Sequence, residues 1–157
     1  MEAIIFIGIQ ASGKSTFYRE HFFTSHVRIN LDMLRTRHRE RLLLRACIEG
    51  GQPFVVDNTN PTAAERARYI LPAREAEFRI VGYYFEPDPA GAVRRNAIRP
   101  EAQRVPPVAI YSTNKRLEPP RLDEGFDTLF IVRLAAGGFV VEEWVDWDGG
   151  TPTMTMN

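Results

Sequence analysis

A chain of 157 residues, 44% of them hydrophobic and 25% charged, is long enough for one domain with a genuine core and too short for two ordinary ones. No apolar run approaches the roughly 18 residues of a membrane span, and the apolar start Ala3 to Ile7 runs straight into a glycine motif, as a strand does and a signal peptide does not. The only cysteine is Cys47, which excludes a disulfide framework and a cysteine zinc cluster; a cytoplasmic protein with no membrane association is expected. The net charge of zero hides a split: after residue 117 eight acids face only Arg121 and Arg133, leaving an arginine-rich excess of +6 before that point. Lys14 and Lys115 are the only lysines, and arginine heads suit bidentate contact with phosphates, although charge alone equally describes an ordinary surface.

Apolar runs alternate with helical patterns, which predicts an α/β fold: a mostly parallel sheet of about five strands with helices on both faces. Ala3 to Ile7 is the first strand, followed by a turn over 8–13 and a helix from about Lys14 to Phe23. Val27 to Ile29 is a short strand ending at Asn30, a good N-cap for a helix starting near Leu31. A further helix over about Arg39 to Glu49 stops at Gly50 and Gly51. Phe54 to Val56 is the third strand, and Asn60-Pro61 is expected to open the next helix, with Asn as cap and Pro at its first position. Arg79 to Phe85 and Leu129 to Leu134 complete the five strands. Phe139 to Trp147 reads as a possible edge strand packed by Trp144 and Trp147, and the tail over 151–157 is expected to fray. Between them, Asp88 to Pro120 carries Arg94, Arg95, Arg99 and Arg104 among six prolines, and reads as a helix, a proline-bounded loop and a helix over Pro107 to Leu117. Segments of this kind often form mobile lids.

Gly8-Ile9-Gln10-Ala11-Ser12-Gly13-Lys14-Ser15-Thr16 satisfies G-x-x-x-x-G-K-[ST] at every fixed position, after an apolar strand and before a helix. The glycines let successive backbone N–H groups converge on phosphates, and the helix N-terminus adds partial positive charge. Lys14 is the cation for the β- and γ-phosphates, and the Ser15 hydroxyl is a Mg²⁺ ligand. Gly8, Ser12, Gly13, Lys14, Ser15 and Thr16 are therefore the expected ATP-binding set. Asp57, directly after the buried run Phe54-Val55-Val56, is the second metal candidate, though a lone strand-terminal Asp is also a common cap or turn residue.

ATP binding by itself does not require Asn30-Leu31-Asp32-Met33-Leu34-Arg35. Asp32 and Arg35 are spaced to share one helix face, where a carboxylate could accept a proton from a hydroxyl and an arginine could hold a phosphate. On spacing alone, an ordinary surface ion pair explains them as well. The P-loop, the run Arg28 to Arg35 and Val56-Asp57-Asn58-Thr59-Asn60-Pro61 resemble the kinase domain of polynucleotide 5′-hydroxyl kinases. Ala64-Glu65-Arg66-Ala67-Arg68-Tyr69 and Leu122-Asp123-Glu124-Gly125-Phe126 are similar to the polynucleotide kinase–phosphatase branch. The resemblance runs from about Ile4 to Leu134 and implies a P-loop kinase with ATP and Mg²⁺ acting on the 5′-OH end of a nucleic acid. It makes Asp32 the general base and Arg35 the grip on the neighbouring phosphate. A lid arginine contacts the donor phosphates, Arg99 as first choice and Arg95 as second, and Arg99 joins Lys14 and Asp32 as catalytic.

The kinase-like part fills the chain, so no fused phosphatase or ligase module and no obligate protein partner are expected. A small-molecule kinase acting on a nucleoside, sugar or antibiotic hydroxyl is the first rival, and would show a closed apolar acceptor pocket. A nucleotide-dependent switch protein is the second, and has no use for an acceptor base such as Asp32. His21, His26 and His38 share no metal-ligand spacing, and Cys47 reads as core. Tyr83-Tyr84-Phe85 is either part of an adenine pocket or simply a buried aromatic strand.

Overall fold

The computed structural model describes residues 1–145 and 153–155. Seven strands form one sheet in the order β2-β3-β1-β4-β5-β6-β7. β1 (Glu2–Ile7), β2 (Val27–Ile29), β3 (Phe54–Val56), β4 (Arg79–Phe85) and β5 (Thr128–Ala135) are the five expected strands, and all are parallel. β6 (Gly138–Val145) and β7 (Thr153–Thr155) extend the sheet antiparallel beyond β5. β6 is thus not the edge, and the terminal segment expected to fray contributes a strand at 153–155. Trp147 and residues 151, 152, 156 and 157 lie outside the described residues.

β1 shows why the sheet is covered on both sides. Its odd residues Ala3, Ile5 and Ile7 join a core with Leu44, Cys47, Tyr69, Ile70 and Ala73, while Ile4 and Phe6 join Phe17, Tyr18 and Phe22 on the other face. The alternation of a strand sends neighbours to opposite faces, and an unbroken apolar run is what two covered faces require. α3 (Arg37–Gly50) and α4 (Ala63–Glu75) cover the first face, and α1 (Lys14–His21) the second. Tyr83 lies within the second core, stacked on Phe130 at 5.0 Å and packed edge-on to Phe6. Burial pushes the Tyr83 and Tyr84 hydroxyls up to about 12. Tyr84 and Phe85 are buried, Tyr83 packs half-buried against the second core, and none of the three lines the cavity that holds Lys14.

The 88–120 segment forms α5 (Pro89–Ala97), a 3₁₀ turn at Glu101–Gln103 and α6 (Pro107–Arg116). Ala92 of α5 and Ile110 of α6 pack with Ile9 and Ala11 of the glycine-rich loop, so the lid segment rests directly on that loop. Among the described residues no helix is long and apolar enough to cross a membrane.

Two local expectations are corrected. α4 does not begin at Asn60-Pro61. Thr62 is its N-cap, accepting from Glu65 N–H in a reciprocal capping box, and a capping box satisfies two otherwise orphaned N–H groups. Asn60 instead takes φ 45° and donates its Nδ2 to Phe6 O at 2.8 Å, pinning the loop after β3 to the first strand. α2 (Leu31–Leu34) is only one turn long, and Arg35 leaves it at φ 75° before α3 starts. Asp32 and Arg35 therefore do not share a helix face.

Candidate active site

The parallel strands end along one edge of the sheet, and the site is built from the segments that leave those ends, as in other open α/β sheets. After β1 comes the glycine-rich loop, after β2 Asn30 and Asp32, and after β3 Asp57 and Asn58. Asp57 N–H donates to Ile29 O and Asn30 Nδ2 donates to Asp57 O at 2.6 Å, which locks the second and third of these turns together. Asn30 Oδ1 accepts from Met33 N–H as the expected cap, and Leu31 N–H donates to Asn58 Oδ1 at 2.9 Å. The turn bearing Asp32 is thus tied to the strand end bearing Asp57.

The loop has the shape of a phosphate cradle. Gly13 takes φ 98° at the N-terminus of α1, in the left-handed region that disfavours other residues. A Cβ on Gly8 would come within 2.9 Å of the Phe85 Cβ, so the backbone passes too close for any side chain there. Lys14 Nζ donates to Gly8 O (3.0 Å), Ile9 O (2.7 Å) and Ser12 Oγ (3.4 Å), folded back over the loop. Burial lowers its pKa to about 8; Asp57 and Asp32 work against that fall and Arg99 adds to it. An amine so placed gains from an anion set beside it. The donor set fits a nucleotide's phosphates.

Ser15 Oγ donates to Asp57 Oδ2 at 3.1 Å, so the hydroxyl and carboxylate suited to Mg²⁺ are adjacent. They also share a cation already. Arg28 Nε donates to Asp57 Oδ2 at 2.8 Å and its Nη2 to Ser15 Oγ at 3.0 Å, balancing a carboxylate whose side chain is 2% exposed. Oxygen ligands of this kind suit a hard divalent ion.

Lys14, Ser15, Asp57, Asp32 and Arg99 line one cavity of about 290 Å³, together with Arg37, Arg68 and Gln10. Thr16 is exposed one residue along α1, its hydroxyl accepting from Arg19. Arg95 does not line the cavity; its Nε donates to Ala11 O at 2.7 Å, bracing the loop from outside. Burial, with Arg94 and Arg99 nearby, holds Arg95 below the usual arginine value against the pull of Asp88. Arg35 is exposed and does not line the cavity either.

Several buried groups behind the site escaped the sequence reading. Glu40, 1% exposed, accepts from Arg37 Nη1, Tyr69 OH and Asn58 Nδ2. Burial and the Glu40 carboxylate raise the Tyr69 hydroxyl above its ordinary value. Arg66, fully buried, donates twice to Glu124 (2.7 and 3.0 Å) and to the carbonyls of Asn60 and Glu118. The signal was present in the register: Glu40 precedes Leu44 and Cys47 by four and seven residues, and Arg66 precedes Tyr69, Ile70 and Ala73 by three, four and seven. A charged residue on the apolar stripe of a helix is one the interior must neutralise.

A family model described as AAA domain matches residues 4–120, three quarters of the chain. The chain belongs to the AAA domain family. Within it, the chain carries a P-loop kinase domain, and the resemblance to polynucleotide kinases is borne out by a curated relative. That relative is the bifunctional polynucleotide phosphatase/kinase of Schizosaccharomyces pombe, 30% identical over 132 residues, which cover 80% of this chain. The chain spans 32% of that relative's length. Among solved structures, a gluconokinase from Sinorhizobium meliloti is similar with a TM-score of 0.59 at 18% identity, covering 85% of this chain and 83% of that one. Chaetomium thermophilum Kti12 in complex with ADP-AlF3 is similar with a TM-score of 0.62 at 16% identity, covering 83% and 88%. At these identities the two structures establish the fold alone: this AAA domain protein has the fold of a P-loop kinase.

Proposed function

We propose that this protein transfers the γ-phosphate of ATP to the 5′-hydroxyl end of a nucleic acid. The observation that carries the reading is the single cavity that contains both Lys14, Ser15 and Asp57 and, from a different turn, Asp32. A nucleotide-binding or switch protein needs the first group only. The similarity to a polynucleotide phosphatase/kinase over 80% of the chain supports a nucleic-acid acceptor.

In this reading the loop N–H groups and the N-terminus of α1 receive the donor phosphates, and Lys14 turns from the carbonyls of Gly8 and Ile9 toward them. Ser15 and Asp57 hold Mg²⁺, which when bound offsets negative charge on the phosphates. Asp32 accepts the proton of the attacking hydroxyl, and Arg99 faces charge that shifts during transfer. Arg35, exposed and outside the cavity lining, contacts a phosphate further along the strand.

A small-molecule acceptor is the second reading, favoured by the structural likeness to a gluconokinase. The cavity wall that holds Asp32, Arg37, Arg68 and Arg99 is not the closed apolar pocket such a reading leads one to expect. Binding of a labelled single strand at several salt concentrations separates the two. Each phosphate contact releases counterions, so two or three contacts give a log–log slope of about −1.4 to −2, and Arg35→Ala flattens it by roughly 0.7. No binding even at low salt would contradict the nucleic-acid reading.

A further inference from the structure

α3 and α4 lie side by side on one face of the sheet, and each runs from the strand ends that carry the site back to the start of the next strand. Between them is a second cavity, a groove of about 620 Å³. On its α3 wall His38, Arg41 and Arg45 recur at three- and four-residue spacing along one helix face, with Leu42 and Ile48 beside them. The α4 wall presents Arg68 and Pro72. Arg68 also lines the cavity that holds Asp32, so the groove opens onto the candidate active site across one side chain.

The charges of the groove are unevenly placed. His38, Arg41 and Arg68 are exposed at the end nearer the site and have neither ion pair nor hydrogen bond among the described residues. The groove's own acids, Glu49 and Glu75, stand at the far ends of their helices, and Glu49 is paired with Arg45 at 3.6 Å. Beyond the near end the next acids, Asp32 and Glu65, belong to the first cavity. The surface between these cations is apolar: Leu42 is 47% exposed there, with Leu44 and Ile48 alongside. Pro72 stands inside α4, where helices seldom accept a residue with no N–H for the carbonyl four back, here that of Arg68, and its ring lines the groove. Unpaired guanidinium groups along an apolar floor complement a chain that alternates phosphates with flat, weakly polar faces. Single-stranded nucleic acid is such a chain: its phosphates release counterions to arginine, and its bases stack on side chains whatever their sequence.

We infer that the groove between α3 and α4 holds the strand on the 3′ side of the reactive end, with Arg41 and Arg68 on its phosphates and its bases against Leu42, Ile48 and Pro72. The inference rests on the proposed nucleic-acid kinase reading and adds two requirements to it, a length and a single strand. From His38 to Arg45 α3 rises about 10 Å, room for about three nucleotides of a stacked strand at roughly 3.4 Å each. Neighbouring helix axes pack about 8–10 Å apart, so the groove takes one strand, and a base-paired end must open to enter it.

The test compares kcat/KM for 5′-hydroxyl single strands of two, four, six and ten nucleotides and for a blunt duplex of the longest. In wild type the value should rise about tenfold from the dinucleotide and level off once the groove is filled, the scale of one charge-assisted contact. The blunt duplex should fall below the single strand of equal length. Arg41→Ala should bring the ratio of long strand to dinucleotide toward one, and should flatten the salt slope of single-strand binding by roughly 0.7. Leu42→Asp should lower the same ratio. Any general folding defect cancels in that ratio, because both acceptors meet the same protein. Arg79→Ala, exposed at the start of β4 and so at the opposite end of the sheet, should leave ratio and slope standing. Equal values for the dinucleotide and the longest strand in wild type, with both phosphorylated, overturn the groove and leave the kinase reading intact. Transfer to no oligonucleotide of any length removes the nucleic-acid reading, and the groove's occupant with it. A dimer in sedimentation that Leu42→Asp splits, with the length ratio unchanged, gives the groove to a second copy of the chain and overturns the proposal.

Discussion

Raising the pH should weaken ATP binding from an unusually low point, because Lys14 is depressed from 10.5 to about 8. That difference corresponds to about 3 kcal/mol withdrawn from the charged form, using 1.36 kcal/mol per pH unit. Below pH 7 the amine is charged and affinity for the phosphates should be level. Near pH 8 half of the free protein has lost the proton, and above it the apparent Kd should rise about tenfold per pH unit, because binding must first restore the cation. Calorimetric titration of a non-hydrolysable ATP analogue between pH 6.5 and 9.5 reads this directly. Lys14→Arg, whose guanidinium stays charged, should bind more weakly but without the break. The same displacement acts on stability. The folded value lies below the unfolded one, so between pH 8 and 10.5 the unfolded chain binds more protons and stability rises with pH; below pH 8 the full cost is present. Affinity that stays flat to pH 9.5 in wild type, or breaks equally in Lys14→Arg, would show that the Lys14 charge does not govern phosphate binding.

Other outcomes rest on the same geometry. Asp32→Asn should lower transfer by roughly 10² to 10⁴ while calorimetry shows ATP affinity unchanged; weakened nucleotide binding with normal transfer would move Asp32 to the metal site. Arg99→Ala should reduce kcat more than ATP affinity, whereas Arg95→Ala, which unbraces Ala11 O, should reduce ATP affinity first; steady-state kinetics with an independent binding measurement distinguishes them. Arg28→Gln frees Ser15 and Asp57 of a competing cation and should raise the ratio of nucleotide affinity with Mg²⁺ to that without, an effect absent in Asp57→Asn. Arg66→Ala should destabilise the fold by about 3–5 kcal/mol in urea denaturation, since it strands Glu124 and two carbonyls.

The parallel half of the sheet was legible because its strands are mostly apolar runs bounded by turn residues, unbroken from Ala3 to Ile7 and from Phe54 to Val56. The phosphate cradle was legible because its glycine and lysine spacing has few other uses. The start of α4 was misread because Asn60-Pro61 and Thr62 both look like helix openings; tertiary contact decided it, since Asn60 Nδ2 is taken by Phe6 O and the capping box falls to Thr62 and Glu65. The pairing of Asp32 with Arg35 failed for a similar reason. Three-residue spacing implies a shared face only inside a helix, and α2 ends at Leu34. Arg28 could not be read from sequence at all, because a three-residue strand gives no sign that its middle side chain reaches the carboxylate after the neighbouring strand. Arg66 and Glu124 sit in two separate family-like runs; only the fold brings those runs together.

Transfer itself is the decisive measurement for this protein. γ-labelled ATP with Mg²⁺ should be offered to 5′-hydroxyl oligonucleotides, 5′-phosphorylated controls, sugars, sugar acids and nucleosides, with Asp32→Asn in parallel. Label is expected at the 5′ end of the hydroxyl oligonucleotides and not on the 5′-phosphorylated controls, with loss of transfer in Asp32→Asn while ATP stays bound. Label on a small alcohol or sugar with none on any oligonucleotide would contradict the nucleic-acid reading.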